Sequence, residues 1–396
     1  MKCKITGKKI KPFMSFGQMP IANGFLKKKD FKKEYLFKME VGFSKDVSLF
    51  QLNSHPKPNL MFNKNYPFFT SSSKFMVRHF KKYSNWIKRN YYKDSKNIIE
   101  IGSNDGSFLK NFQSKNILGI EPSSNVAKLA NKNGINTLNK FFTYKNALKL
   151  NKFKKKTDLI FAANVICHIP NLKDLIKGID LLLNKKGFFI FEEPYLGSMY
   201  EKTSYDQIYD EHIFMFSVTS VKKVFNLFGF DLINAQKQKT HGGSMRYVIA
   251  RKGMYKPKSI ILDLIKYENK KNINDIKGCL RFKRNCELSR KNLKKKINKI
   301  LKSGNNIAGY AATSKSTTIL NYCGLNHNHI DFICDTTKDK IGKFTPKTHI
   351  PIVNTDYFRK NIPNYTFLFA WNHKKEIFNK EKKIIKKTKW FAHINF

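Results

Sequence analysis

The sequence predicts an α/β protein: a central doubly wound sheet, a small unit before it and a further α/β unit after it. Three observations carry this. The stretch from Asn97 to Glu121, NIIEIGSNDGSFLKNFQSKNILGIE, reads as strand, tight turn, helix and second strand. Short apolar runs then alternate with helix-periodic segments as far as about residue 250, and the alternation restarts at Asn306. Short continuous apolar runs suit strands buried on both faces, as in a Rossmann-like parallel sheet.

Taken in order, residues 1–75 are short β-like pieces and turns, among them FGQMPIANGF (16–25), LFQL (49–52) and NYPFFTSSS (65–73). They predict a small appended domain. Lys74 to Asn90 is an amphipathic helix, with Phe75, Val77, Phe80, Trp86 and Ile87 as its apolar stripe. Ile98 to Ile101 and Ile117 to Ile120 are the first two buried strands. Ala127 to Asn133 is helical, and Asp158 to Ala163 is a third strand. Leu172 to Leu183 is a helix stopped by Asn184 to Gly187, and Phe188 to Phe191 is a strand. Ser217 to Phe228 is a helix capped by Gly229, and Arg246 to Ala250 is the last strand of this unit. Residues 256–303 are charged and helix-periodic, a connector. The final unit, 304–396, runs strand IAGYAA, turn TSKST, helix TILNYC, then strands HIDFICD and TFLFAW. The divisions are therefore 1–75, 76–255, 256–303 and 304–396.

Length and composition set bounds. A chain of 396 residues buries a sizeable core. No apolar run reaches membrane-spanning length and no signal-peptide core is present, so a cytoplasmic location and no membrane partner are expected. Six cysteines are scattered without a Cys-x-x-Cys pair. Lys and Arg number 76 against 28 acids, a net charge of +48. The lysines are spread over the whole chain, and no tract interleaves arginines with base-stacking aromatics. A nucleic-acid partner is not expected. The charge suits attraction of a small polyanion such as a nucleotide-linked substrate.

The chemistry begins at Gly102-Ser103-Asn104-Asp105-Gly106. Glycines let backbone approach a ligand, and Glu121, ending the second strand, is placed to accept hydrogen bonds from ribose hydroxyls. The loop is not GxGxxG, which closes on a pyrophosphate. It carries Asp105 inside and Glu100 just before, and acids there repel phosphate and suit a ligand bearing an ammonium and a sulfonium. S-adenosylmethionine is therefore favoured over NAD, with Pro122 and Asn164 beside it. Three constellations lie beyond strand ends. Asn164-Val-Ile-Cys-His168 follows the third strand. Tyr205-Asp-Gln-Ile-Tyr209-Asp210-Glu211-His212 gathers ionisable groups after Glu192-Glu193-Pro194. His241-Gly-Gly243-Ser244-Met-Arg246 offers backbone close to a ligand, with Arg246 either on a phosphate or paired to a local carboxylate. One His with nearby acids is a poor zinc set, so no metal is assigned here.

The runs EIGSNDG, GIEPSSNVA, ANVICHIPNL, IYDEHIFMFS, HGGSMR, YAATSK, GKFTPKTHIPI and AWNHKKEI, with GQMPIANGFL and NYPFFTSSS before them, resemble the S-adenosylmethionine-dependent nucleotide-sugar C-methyltransferases. The resemblance spans nearly the whole chain in order. It implies a zinc-type N-terminal domain, a class I methyltransferase domain and a C-terminal domain that helps hold a nucleotide-linked 4-keto deoxysugar. It implies removal of the C-3 proton, an enolate at C-4 and methylation of carbon. It makes His212 the base with Glu211 as its partner, and has Tyr209 and His168 line the sugar or steady the oxyanion, with Tyr66 as a further active-site tyrosine. Substrate contacts are expected from His241, Gly243, Ser244, Arg246, Lys315, Lys340, Thr345, His349, Trp371 and Asn372.

The chain departs from the family pattern. Of the two Cys-x-x-Cys pairs only Cys3 remains, with Thr6, Ser44 and Val47 in the other places, so no zinc is expected. Asp210 replaces a histidine, Met215 a tyrosine and Ala311 a glycine. Methylation of a sugar hydroxyl or amine, and a non-catalytic RNA-associated protein, remain the alternatives at the level of sequence.

Overall fold

The computed structural model describes residues 1–92, 96–114 and 116–395. The N-terminal strands β1 (Pro12–Pro20), β2 (Leu36–Ser44) and β3 (Leu49–Leu52) form an antiparallel sheet. NYPFFTSSS contributes no strand to it. It is a loop ending in a single 3-10 turn, Thr70–Ser72, that leads into α1 (Lys74–Tyr91). Ser73 accepts from the Met76 amide and so caps α1, whose buried residues Met76, Phe80, Tyr83 and Ile87 recur at helical spacing.

The central sheet follows with β4 (Asn97–Ile101), β5 (Asn116–Ile120), α2 (Ser124–Lys132), β6 (Thr137–Leu138), β7 (Thr157–Ala163), α3 (Leu172–Leu182) and β8 (Leu183–Pro194). After α4 (Leu196–Lys202) and the short β9 (Phe214–Met215) come α5 (Val218–Asn226), β10 (Phe230–Gln238) and β11 (Ser244–Arg251). The order is β10-β11-β8-β7-β4-β5-β6, with β4 to β8 parallel and β11 antiparallel between β10 and β8. The doubly wound expectation holds.

Three elements differ from the sequence reading. No full helix follows the GSNDG turn, only a 3-10 turn at Leu109–Asn111, because Phe108, Leu109 and Phe112 all turn into the core within the short link to β5. Asn184 to Gly187 does not separate helix from strand. It is the bulged start of β8, where a Cβ on Gly187 would lie 2.8 Å from the Thr157 carbonyl of the neighbouring strand. β10, which the reading passed over, pairs along its length with β11.

The connector is two helices, α6 (Ile260–Lys270) and α7 (Ile276–Lys302). The C-terminal unit then runs β12 (Ile307–Tyr310), α8 (Ser314–Cys323), β13 (Ile333–Cys334), β14 (Ile352–Val353), β15 (Tyr365–Leu368) and β16 (Lys389–Phe391), a parallel sheet in the order β14-β13-β12-β15-β16.

The three units are not separate bodies. β9, two residues beyond His212, joins the N-terminal sheet: Phe214 pairs with Gln51 and Met215 with Phe50. One apolar cluster runs from Phe16 and Met39 of the N-terminal sheet through Tyr205 and Met215 to Ile319 and Ile333 of the C-terminal unit. Among the described residues no helix is long and apolar enough to cross a membrane.

Candidate active site

A cavity of about 1540 Å³ opens at the carboxyl ends of β4, β5 and β7 and reaches the loops after β12 and β13. That is where a doubly wound sheet binds ligands. Gly102 makes its floor possible. It has φ +68°, and a Cβ there would lie 2.3 Å from Val165 of the neighbouring turn. Glu121 is buried, with Oε2 accepting from the Asn104 amide (3.0 Å) and Oε1 from the Ser123 amide (2.7 Å). Burial raises its carboxyl above the ordinary value. Glu100 Oε2, Ser103 Oγ and Asn164 Oδ1 are buried at the wall with no hydrogen-bond partner among the described residues. Such orphans are what a polar ligand satisfies. With Asn104 and Pro122 also on the wall, these residues fit S-adenosylmethionine, whose ribose and amino-acid ends need that mixture of acceptors and donors.

Two residues expected beside the cofactor do other work. Asp105 turns away from the cavity: its Oδ2 accepts from the Ser71 amide (2.7 Å) and its Oδ1 from the Ser107 amide (3.2 Å). Gly106 is spared a side chain because Ile135 packs against it. Asn104 accepts from the Thr70 amide and donates to the Phe68 carbonyl, so the loop also clamps segment 68–71 over the cavity rim.

The five residues named as catalytic, Tyr66, His168, Tyr209, Glu211 and His212, all line this cavity. His212 Nδ1 lies 2.7 Å from the Gln207 carbonyl, which only accepts, so Nδ1 carries the proton and Nε2 the lone pair. Tyr209 OH is 2.7 Å from Nε2 and donates to it. Burial holds His212 well below the ordinary imidazole value, so it is neutral, with its lone pair at Nε2. The His168 ring stacks on His212, with 5.3 Å between centroids. Burial pushes His168 down to about 3, and its Nε2 has no partner among the described residues.

Glu211 is not the partner of His212. Its Oε1 accepts from Asn23 Nδ2 (2.7 Å), and burial raises it to about 7. Asp210, at the place of the family histidine, accepts from the Ala22 amide (3.0 Å). Burial and the adjacent Glu211 raise its carboxyl well above the usual range. Asn23 and Phe62 also line the cavity, and the reading of single residues passed over both. Glu193 was missed too. It is fully buried and holds the turn below His168 by accepting from the amides of Val165 (2.9 Å) and Ile166 (2.6 Å).

Of the ten expected substrate contacts, only His241 and Lys340 line the cavity. Arg246 pairs with Glu192 (2.8 Å) beneath Tyr83 and Trp86, so the carboxylate alternative holds and the phosphate one does not. Gly243 and Ser244 are used in the turn itself, through the Gly243 carbonyl to the Tyr195 amide and the Ser244 hydroxyl to the Thr240 carbonyl. Trp371 Nε1 donates to Asp206 (2.8 Å), and Lys315 reaches Asn372 Oδ1 (3.3 Å) and Asp206 (3.9 Å). His349 stacks on Phe31 at 3.7 Å and pairs with Glu34, while Thr345 bonds Thr348. Each finds an internal partner before reaching the cavity, and Trp371, Lys315 and His349 in this way tie the C-terminal unit to the other two.

The zinc-type positions converge in space without a ligand set. Thr6 and Ser44 hydrogen-bond Cys3, and Val47 packs with Cys3, Ile5 and Leu49 in the core. One thiol, two hydroxyls and an isopropyl group do not fit zinc.

Comparison with known proteins agrees with this layout. Three family models match in order: a zinc binding domain over residues 3–62, a methyltransferase domain over 76–235 and a C-methyltransferase C-terminal domain over 239–394. The chain is similar to the C-methyltransferase NovU of Streptomyces niveus, 27% identical over 377 residues, 94% of this chain and 90% of that one. Among solved structures it is similar to the PH0226 protein of Pyrococcus horikoshii OT3, with TM-score 0.39 and 16% identity over 50% of this chain and 100% of that one. Magnesium protoporphyrin IX methyltransferase of Synechocystis PCC 6803 gives TM-score 0.34 and 12% identity over 44% of this chain and 82% of that one. The three models together run in order from residue 3 to residue 394, the last of them specific to C-methyltransferases, and the chain is an S-adenosylmethionine-dependent C-methyltransferase.

Proposed function

We propose that the acceptor is the carbon beside a ketone, C-3 of a nucleotide-linked 4-keto deoxysugar, and that His212 takes its proton. The observation that supports this most is the fixed tautomer of His212. Gln207 holds Nδ1–H, so the free lone pair is at Nε2, on a residue of the same cavity as Glu121. When bound, S-adenosylmethionine supplies an electrophilic methyl group.

A ketone makes the neighbouring C–H acidic, and a neutral imidazole with a lone pair at Nε2 can accept that proton. Tyr209 hands its hydroxyl from Nε2 to the carbonyl oxygen as the substrate enters, which frees the lone pair and stabilises the enolate oxygen. The C–H electron pair becomes the enolate and the proton stays on Nε2. The imidazolium then lies beside the enolate, in a cavity whose wall also carries the Glu211 carboxyl. Lys340 and His241 border the part of the cavity left for the nucleotide-sugar, and the overall charge of +48 favours arrival of such a polyanion.

The test is His212→Ala in the full chain. Turnover of a 4-keto nucleotide-sugar is expected to fall by at least about a hundredfold, with the calorimetric affinity for S-adenosylmethionine unchanged. Retained turnover ends the assignment of the base. A product whose new methyl carbon is bonded to oxygen in its NMR spectrum ends the assignment of the acceptor.

A further inference from the structure

We propose that Asn23, carried by the N-terminal domain, is a positioning residue of the active site, whose side-chain amide holds the Glu211 carboxyl in place against the cavity. The proposal rests on the reading of the cavity given above and adds a residue to it.

Asn23 lies in the loop between β1 and the rest of the N-terminal domain, remote in sequence from the catalytic segment. Its Nδ2 nevertheless donates to Glu211 Oε1 at 2.7 Å, and both residues line the cavity. Among the described residues this is the one hydrogen bond made by the Glu211 side chain. The local turn does not need the Asn23 side chain. It is closed by backbone bonds from Gly24 to Ile21 and from Phe25 to Asn23.

The loop is fixed from two directions. The Ala22 amide donates to Asp210 Oδ1 (3.0 Å), and the Ala22 carbonyl accepts from Thr317 of α8 (2.8 Å). On the acceptor's side, β9 ties the segment after His212 to β3. An amide held this firmly fixes the rotamer of the acid it bonds.

The electrical consequence has a definite sign. Glu211 is buried among Asp210, Tyr209, Tyr66 and Cys167, with the neutral His212 next in sequence. None of these supplies a positive charge at rest. Burial raises Glu211, and the Asn23 bond is the influence that lowers it, leaving it at about 7. Without the amide the carboxylate loses its donor and binds a proton at higher pH. The anion that balances the imidazolium is then missing over a wider range.

The experiment uses Asn23→Ala in the full chain with a 4-keto nucleotide-sugar. The acid limb of the kcat profile is expected to move up by about one pH unit, with kcat about tenfold lower below it and affinity for S-adenosylmethionine unchanged. Because Asn23 acts through Glu211, the double variant N23A/E211Q is expected to be no slower than E211Q alone. Titration of the Glu211 carboxyl by difference infrared spectroscopy, with E211Q as the blank, needs no turnover and should show the same upward shift.

Should N23A fail to fold, Asn23→Gln displaces the amide by one methylene and is expected to move limb and titration the same way, less far. An unmoved limb and titration, or a double variant slower than E211Q by the full N23A factor, overturns the proposal. If the wild-type chain turns over no keto-sugar, the proposed function fails alone, and the infrared titration still decides the place of Asn23.

Discussion

Ala311 carries a backbone of φ +75°, in the left-handed region that favours glycine. It lies at the end of β12, and its amide donates to the Cys334 carbonyl (2.8 Å). The sequence marked the departure, and the structure supplies its cost. Ala311→Gly is expected to stabilise the chain by roughly 1 kcal/mol, read as a higher urea midpoint at unchanged slope. At this scale the candidate site was half legible. Tyr209, Glu211 and His212 lie in one short run beyond a strand's carboxyl end, where ligands bind, so position alone pointed at the cavity. Trp371, Arg246 and His349 are as polar and as well placed along the chain, yet each is turned onto an acid. Which way a side chain turns depends on partners distant in sequence, and spacing carries no record of them.

Elements are fastened to one another by buried charge as well as by packing. Glu192 of β8 accepts from His79 of α1 (2.7 Å), Thr240 (2.8 Å) and Arg246 of β11 (2.8 Å). Burial alone would raise its carboxyl, but His79, then Arg246 and Thr240, outweigh it and hold it at about 2. The folded value lies below the ordinary one. This group therefore stabilises the fold above the ordinary carboxylate value and loses that contribution as pH falls toward 2. The loss is expected to be about 3 kcal/mol, and Glu192→Gln should flatten the acid limb of a stability-against-pH curve measured by urea unfolding. The strands of the central sheet were legible because each is a short apolar run. β10 was not, since Asn234, Gln236, Lys237 and Gln238 break its apolar pattern and its place is set by pairing with β11.

Across the whole molecule, the N-terminal sheet, α4, α7 and the C-terminal sheet share one apolar cluster. At their junction Asp206, fully buried, accepts from Trp371 Nε1 (2.8 Å) and pairs with His393 near the C-terminus (3.1 Å). Asp206→Ala leaves the Trp371 and His393 nitrogens and the Lys315 ammonium without their acid and is expected to cost about 3 kcal/mol. Amides of β16 should lose protection first in hydrogen exchange, ahead of those of β7. The alternation of strand and helix made the two α/β units visible in the sequence. Their union was not visible, because β9 is two residues long and joins a sheet whose other strands end at Leu52.

That borrowed ribbon bears on the ancestry of the chain. A module whose outer strand is lent by its neighbour cannot be shuffled freely between genes. Any recombination breakpoint between the two would leave Phe50 facing a foreign backbone and the loop around His212 unmoored. Through that shared stitch the first sixty residues serve the central unit, by holding the backbone just beyond His212.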